Sequence, residues 1–234
     1  MTTIADKLQQ VRMRIETACK DYGRDPASVR LLAVSKTFPG EALRAAHAAG
    51  QRAFGENYVQ EGIAKIEALA DLRADIEWHC IGPLQSNKTR VVAEHFDWVH
   101  SIDRLKIAQR LSEHRPAGLA PLQLCLQVNV DGGANKSGLA PGQALELARQ
   151  VAQLPNVRLR GLMAIPEPAE GFEAQRELLL RATAVFDEIR AAGIGLDVLS
   201  LGMSADLEAA IAAGSTMVRV GTAIFGGRGF GYTK

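Results

Sequence analysis

A lysine stands at the end of a short apolar run near the start of the chain. The run Leu31–Val34 leads through Ser35 into Lys36, and apolar runs of this length between polar residues are typical of strands buried on both faces. A lysine amine that is removed from water loses its proton readily and can attack a carbonyl to form an imine. On spacing alone, a solvated loop lysine is the simpler interpretation, so the rest of the chain has to decide.

Two segments near the other end of the chain could bind a phosphate. Gly202-Met203-Ser204 precedes a predicted helix, and Gly221-Thr222 follows the last predicted strand. Backbone N–H groups at a helix start, glycines that allow close approach and hydroxyl donors are the groups that bind phosphate. Glycines and serines are also ordinary turn formers, so these segments do not identify a phosphate site by themselves.

The elements that must position these residues alternate between strand and helix. An amphipathic helix from about Ile4 to Cys19 opens the chain, and about eight strand–helix pairs follow with short connections. This count, with 234 residues, predicts an α/β fold, a single (β/α)8 TIM barrel with an additional N-terminal helix. A doubly wound open sheet is the alternative, but the fingerprint G-x-G-x-x-G is missing after the first strand. The strands are predicted at 31–37, 52–55, 76–81, 98–102, 122–130, 159–164, 198–201 and 217–221.

A barrel of this kind carries its active site at the C-terminal ends of its strands. Lys36 would follow the first strand, and the two candidate phosphate segments would follow the seventh and eighth, so all face one mouth. Pyridoxal phosphate carries an aldehyde and a phosphate and would satisfy both features. Arg219 lies two residues before Gly221 and shares its face. It could point into the mouth toward the pyridine nitrogen, or it could pair with an interior carboxylate.

The composition excludes several classes of function. With 47% hydrophobic residues, 23% charged residues and a formal net charge of +1, the chain has no electrostatic signature of a partner that is nucleic acid or an anionic membrane. Cys19, Cys80 and Cys125 lack CxxC spacing, so we expect neither disulfides nor a metal site. The N-terminus lacks the pattern of a signal peptide, and no apolar run approaches membrane-spanning length. We therefore expect a cytoplasmic protein.

Several segments together resemble a known family, the pyridoxal phosphate homeostasis proteins. The resemblance spans almost the whole chain, and its most specific parts are Gly55–Glu61 and His79–Lys88. It implies a barrel like the N-terminal domain of bacterial alanine racemase and eukaryotic ornithine decarboxylase. The matching segments are Ala33–Lys36, Phe54–Glu61, Trp78–Lys88, Gly161–Ile165, Leu199–Ser204 and Val218–Gly226.

The resemblance also implies residue roles around pyridoxal phosphate. Lys36 would form the imine with the cofactor, and Arg219 would face its pyridine nitrogen. An arginine cannot accept a proton there, so the ring stays neutral and stabilises a carbanion poorly, which suits storage and delivery of the cofactor. The phosphate would be held by Ser204, Gly221 and Thr222, and the pocket would be lined by Asn57, Ser200 and Met203.

The racemase relatives have a second domain that contributes a tyrosine acid/base and closes the site as a dimer. We expect no such domain in this protein, and the tyrosines of the sequence are Tyr22, Tyr58 and Tyr232. We therefore expect slow stereoinversion and assign no catalytic residue beyond Lys36. The chain is interpreted as a monomer that maintains the intracellular supply of pyridoxal phosphate and passes it to apo-enzymes; a weak amino-acid racemase is the alternative.

Three other features carry weaker expectations. His79 is either a catalytic base or, more simply, a barrel-lining histidine with satisfied hydrogen bonds. Lys136, in the loop after the fifth strand, is either an amine that captures the aldehyde in transit or a solvated loop lysine. Residues 1–234 are expected to form one domain, with 226–234 as a flexible tail.

Overall fold

The computed structural model describes residues 2–133 and 137–227. Lys136 and most of the predicted tail therefore lie outside the described residues. The strands pair in parallel in sequence order, and the eighth pairs with the first, which closes the barrel and confirms the predicted fold. The strands are β1 Arg30–Val34, β2 Ala53–Glu56, β3 Glu77–Cys80, β4 Trp98–Ile102, β5 Leu122–Gln127, β6 Val157–Met163, β7 Val198–Ser200 and β8 Met217–Val220.

Helices alternate with the strands along the chain and pack outside the barrel. Short 3₁₀ turns at 26–28, 70–72, 86–88 and 141–143 join some of the elements. Within the described ranges, no helix is both long enough and apolar enough to cross a bilayer. The helices are α1 Ile4–Asp21, α2 Gly40–Ala48, α3 Val59–Ala68, α4 Thr89–His95, α5 Leu105–His114, α6 Ala144–Val151, α7 Phe172–Ala191, α8 Leu207–Ala212 and α9 Thr222–Phe225.

The N-terminal helix α1 is fixed at its start by a capping box. The Thr3 hydroxyl accepts a hydrogen bond from the Asp6 backbone N–H, and the Asp6 carboxylate accepts one from the Thr3 N–H. These bonds satisfy donors that a helix start otherwise leaves free. Further along, Leu8, Val11 and Ile15 recur at helical spacing and are buried. Through this face α1 packs against α2, α8 and α9, which lie beside the first and last strands.

The interior of the barrel combines an apolar layer with polar side chains. Because strand residues alternate between faces, one set of side chains points inward and packs into a separate small core. Inward positions nearer the carboxyl ends of the strands hold polar residues, among them His79, His100, Ser200 and Arg219, all of them buried. The apolar layer consists of Leu32, Ala53, Trp98, Cys125, Met163, Val198 and Met217.

Some predicted element boundaries are wrong by a few residues. The first strand, predicted over 31–37, spans Arg30–Val34, so Ser35 and Lys36 lie in the loop that follows it. The strand predicted to continue to Val130 ends at Gln127, although Val128 still forms an isolated bridge with Leu139. An apolar run predicts burial, but a strand ends where the backbone of the neighbouring strand no longer forms hydrogen bonds with it.

Candidate functional site

The mouth of the barrel brings the two ends of the sequence together. Pairing of β1 with β8 places Leu32 opposite Arg219 and Ala33 opposite Val220. Lys36 and Gly221 therefore leave adjacent strands at the same end of the barrel. Lys36 is half-buried, and no described residue accepts a hydrogen bond from its ammonium. Its amine is thus available to a ligand in the mouth.

A buried ion cluster holds the backbone on both sides of Lys36. The Lys65 ammonium, on α3, donates to the Ser35 carbonyl at 2.7 Å, to Glu56 Oε1 at 2.8 Å and to Glu61 Oε1 at 2.7 Å. The Ser35 hydroxyl donates to Glu56 Oε1 at 2.6 Å, and the Thr37 N–H donates to Glu61 Oε1 at 2.5 Å. The residues before and after Lys36 are therefore both fastened to the same cluster.

Two features of this cluster indicate a constrained loop. Thr37 has a φ of +68°, a left-handed conformation that a non-glycine residue adopts only where its surroundings enforce it. Glu56 is fully buried, and its burial raises the pKa of the carboxyl, although Lys65 and the Ser35 hydroxyl act in the opposite direction. Charged groups are buried at this cost only when they are paired. Here the pairing fixes the direction in which the chain leaves β1.

Arg219 is held by oxygen atoms of Ser200, on β7, and of Ala164, the residue after β6. Its Nη1 donates to the Ser200 carbonyl at 2.6 Å and to Ser200 Oγ at 2.7 Å, and its Nη2 donates to the Ala164 carbonyl at 2.9 Å. It is therefore not paired with an interior carboxylate. Burial lowers its pKa to about 10, so the guanidinium remains charged at neutral pH. Of its five N–H groups, Nε–H and one on Nη2 have no acceptor within the described part of the chain.

Ser200 acts on the mouth through Arg219. The residue is completely buried. Its carbonyl and hydroxyl oxygens both accept from Arg219, and the hydroxyl also lies 3.2 Å from His100 Nδ1. Both of its polar groups are engaged inside the barrel, so in this structure it supports the arginine from beneath.

The two loops predicted to bind phosphate lie side by side. The Arg219 N–H donates to the Gly202 carbonyl at 3.0 Å, which connects the loop after β7 to β8. Gly202 has a φ of +86°, and a Cβ there would lie 2.3 Å from the Cβ of Ala210, so only glycine fits. Nothing in the described ranges accepts from the backbone N–H groups of Ser204 and Thr222. Unused N–H donors on neighbouring loops are suited to an anion.

Asn57 reaches the mouth from β2 and leaves an acceptor unused. A Cβ on Gly82 would lie 2.1 Å from the Asn57 carbonyl oxygen, so the two loops are in close contact. The Oδ1 atom of Asn57 is buried and has no partner among the described residues. Buried polar atoms in folded proteins nearly always have a partner, and this one is available for a ligand. The next side chain, Tyr58, is 60% exposed.

Comparison with known proteins identifies the family. The alanine racemase N-terminal domain model matches residues 7–229. A pyridoxal phosphate homeostasis protein from Pseudomonas aeruginosa is 60% identical over 231 residues, which cover 99% of this chain and 98% of the relative. The chain belongs to the pyridoxal phosphate homeostasis protein family. The relative from Escherichia coli K12 is 54% identical, with 98% of this chain and 99% of the relative covered.

Two solved structures have a similar barrel. PipY from Synechococcus elongatus, determined with pyridoxal phosphate bound, has a TM-score of 0.83 and 41% identity, with 96% of this chain and 100% of that chain covered. The alanine racemase of Corynebacterium glutamicum has a TM-score of 0.67 at 17% identity, with 93% of this chain and 60% of that chain covered. The second likeness shows the fold alone.

His79 is a barrel-lining histidine with hydrogen bonds to its neighbours, as the simpler interpretation predicted.

The structure also brings to the candidate site residues that the sequence does not single out. His100, Glu61 and Lys65 were not assigned any role. The i,i+4 spacing of Glu61 and Lys65 is a detectable signal, but it is typical of solvated helix faces. The burial that gives the pair its role becomes visible only in the fold.

Proposed function

We propose that this member of the pyridoxal phosphate homeostasis family binds pyridoxal phosphate at the mouth of its barrel and maintains the supply of that cofactor. The observation that carries the proposal is the adjacency of β1 and β8, which places the Lys36 loop beside the strand of Arg219. A free amine, a charged donor with unused N–H groups and loops with unused backbone donors then lie at the same end of the barrel. These groups match the aldehyde, the ring nitrogen and the phosphate of the cofactor.

Each residue has a distinct role in this proposal. When bound, pyridoxal phosphate supplies an electrophilic aldehyde carbon and an electron-accepting ring. Lys36 holds the cofactor covalently through its amine, and the fastened backbone of its loop aims that amine. Arg219 donates to the ring nitrogen. The backbone and hydroxyl groups of Ser204, Gly221 and Thr222 would bind the phosphate, Asn57 and Met203 would line the pocket, and Ser200 supports Arg219.

The environment of Arg219 favours storage of the cofactor over catalysis with it. Its guanidinium stays charged and offers only donors, so a ring nitrogen in front of it must act as an acceptor and remain unprotonated. An unprotonated ring would withdraw electrons weakly, so the bound cofactor would be less reactive. This low reactivity suits a protein that stores and delivers the cofactor.

The exposure of the mouth favours release to recipients. Met203 is 42% exposed, Thr222 is exposed and Lys36 is only half-buried, so water and other amines reach the proposed site. We infer that the protein works as a monomer in a reducing compartment such as the cytosol and that its recipients are apo-enzymes. Its three cysteines are free thiols, which fits that compartment.

Borohydride trapping tests the covalent part of the proposal. The protein is mixed with pyridoxal phosphate, reduced, digested and analysed by mass spectrometry, and the modified residue is expected to be Lys36. Lys36→Ala should lose both the label and the visible absorbance of the bound cofactor, whereas Lys106→Ala, at an exposed position on α5, should keep both. Equal labelling of other lysines, with an unchanged spectrum in Lys36→Ala, would show that the proposed site is wrong.

Two further assays separate a carrier from a racemase. The loaded protein is incubated with L-alanine in deuterated water, followed by chiral analysis, and we expect no exchange above that of free cofactor. Accumulation of D-alanine that depends on Lys36 would make the protein a racemase, with Tyr58 as the first acid/base to test.

In the second assay, loaded protein is mixed with a pyridoxal phosphate-dependent apo-enzyme. Recovery of its activity at least as fast as with equimolar free cofactor is expected of a donor.

A further inference from the structure

A line of hydrogen bonds runs inside the barrel from Arg219 toward the opposite end. Arg219 Nη1 donates to Ser200 Oγ at 2.7 Å, and that oxygen lies 3.2 Å from His100 Nδ1. His100 Nε2 lies 2.9 Å from His79 Nδ1, and His79 Nε2 lies 3.2 Å from Glu77 Oε1. Side chains of β8, β7, β4 and β3 thus form one connected series across the barrel.

The two ends of this line differ in exposure. Ser200, His100 and His79 are completely buried, and Arg219 is 4% exposed. Glu77 lies at the N-terminal end of the barrel, where its side chain is 36% exposed and accepts from Arg30 Nη2 at 2.6 Å. The series therefore connects the candidate cofactor site to solvent on the opposite face of the protein.

The two end groups determine the direction of every bond between them. A guanidinium can only donate and an ionised carboxylate can only accept. His79 Nε2 therefore carries a proton and donates it to Glu77, which in a neutral imidazole leaves Nδ1 as an acceptor. His100 then carries its proton on Nε2 and donates it to His79 Nδ1, so its own Nδ1 is an acceptor. Ser200 Oγ accepts from Arg219 and donates its own proton to His100 Nδ1.

The charges along the line agree with this direction. Burial lowers the pKa of both imidazoles, so both histidines are neutral at physiological pH. Burial alone would raise the pKa of Glu77, but its bond with His79 and the charge of Arg30 outweigh burial and lower the pKa to about 2. Arg30, Glu77 and Asp97 face His79, and Arg219 and Arg30 face His100. The opposite direction would need a protonated Glu77, because an ionised carboxylate cannot donate a proton to His79 Nε2.

We propose that Glu77, His79 and His100 are positioning residues for Arg219. The carboxylate at the N-terminal end fixes the tautomers of both imidazoles and, through them, turns the Ser200 hydroxyl so that its oxygen lone pairs face Arg219. The consequence for cofactor binding rests on the proposed function, whereas the assignment of tautomers does not. Without the carboxylate, a proton on His100 Nδ1 would compete with Arg219 for the same serine oxygen.

Imidazole nitrogen NMR on the ¹⁵N-labelled protein without cofactor tests the assignment directly. His79 and His100 are both expected to be Nε2–H tautomers. Glu77→Ala should change the tautomer of at least one of them, whereas Glu77→Gln, which keeps an acceptor oxygen, should not. Asp197→Ala removes the neighbouring ion pair with Arg160 outside the line and should leave both unchanged. An Nδ1–H form of either histidine in the wild-type protein, or no change in a folded Glu77→Ala variant, would overturn the proposal.

Cofactor titration then tests the effect on Arg219. Glu77→Ala is expected to weaken binding of pyridoxal phosphate about tenfold, the cost of one lost hydrogen bond to a charged group, and to shift the absorbance of the bound cofactor. Glu77→Gln should restore both values, and Asp197→Ala should match the wild-type protein. Equal affinity and spectrum in Glu77→Ala and wild-type protein would contradict the positioning role. If the wild-type protein binds no cofactor, the proposed function fails, while the tautomer measurement still decides the assignment.

Discussion

The ammonium of Lys65 lies 2.7 Å from the carbonyl oxygen of Ser35, the residue immediately before Lys36. A buried charge on α3 thereby fixes the backbone from which the candidate cofactor-binding amine extends. Glu61, one turn earlier on α3, accepts from the N–H of Thr37 on the other side of Lys36. The direction in which the Lys36 side chain extends is therefore set by side chains of α3, a helix that follows the second strand.

Replacing Lys65 with methionine should be strongly destabilising. The change leaves the buried carboxylate of Glu56 and the partly exposed carboxylate of Glu61 without their counter-charge, and loss of one partner of a buried ion pair costs about 3–5 kcal/mol. We expect this loss in the free energy of unfolding measured with urea. Arg44→Met, which breaks the exposed pair with Asp71, should cost far less. Similar losses in the two variants would contradict a structural role for the buried cluster.

Gly82→Ala should disturb Asn57. The added methyl group would lie 2.1 Å from the Asn57 carbonyl oxygen, so one of the two loops must move. We expect a loss of about 1–3 kcal/mol, typical of overpacking, together with weaker binding of pyridoxal phosphate. Gly142→Ala, where the methyl group meets nothing within 4 Å, is the control. An affinity as high as that of the control would mean that Asn57 does not contact the cofactor.

Stability should fall as the pH drops below neutrality. His79 and His100 have pKa values below the ordinary 6.5 in the folded state because they are buried. As the pH falls, these histidines therefore take up protons in the unfolded chain before they do so in the folded protein. Each one lowers the free energy of unfolding by up to about 1.4 kcal/mol per pH unit below 6.5. The pKa of Glu77 is lowered from 4.5 to about 2. The stability that this carboxylate contributes is therefore also lost as the pH falls, between pH 4.5 and about pH 2.

Urea unfolding of wild-type protein and of the double variant His79→Gln/His100→Gln checks this pH dependence. Between pH 7 and pH 5 the wild-type protein should lose stability more steeply than the double variant. Glu56 acts in the opposite direction, since its pKa is raised, but it is present in both proteins and cancels in their difference. Parallel curves would show that the two histidines are not neutral in the folded state.

The thiols should be unreactive in the folded protein. Cys80 and Cys125 are buried, and burial raises the pKa of each to about 12, so almost no thiolate is present at neutral pH. A disulfide reagent should detect no rapid thiol in native buffer and three thiols in denaturant. A rapid thiol in the native protein would indicate that the barrel opens locally.

The barrel and the residues at its mouth could be predicted because both follow from local pattern. Strand ends can be located from apolar runs, and parallel strands in a barrel place those ends at one face. Lys36, Arg219 and Gly221 could thus be grouped before their distances were known. The sequence could not decide whether Arg219 faces the mouth or pairs with an interior carboxylate. That depends on which oxygen atoms of β7 and of the residue after β6 lie beside the guanidinium.

The supporting interactions could not be predicted because they depend on pairings between distant elements. His79 and His100 lie on neighbouring strands, and only their register sets Nδ1 of one 2.9 Å from Nε2 of the other. Lys65 follows a sequence pattern that equally describes a solvated helix face. In both cases burial determines the role of the residue, and burial is a property of the assembled barrel.

The pairing of β1 with β8 has a consequence for how the protein is made. Lys36 lies in the first sixth of the chain, and Arg219 and Thr222 lie in its last tenth. At about 5–20 residues per second, the ribosome completes the second half of the site about 10–40 s after the first. During that interval the nascent chain presents a lysine without its arginine or its phosphate loops. In the proposed site, retention of the cofactor therefore requires the last strand as well as the first.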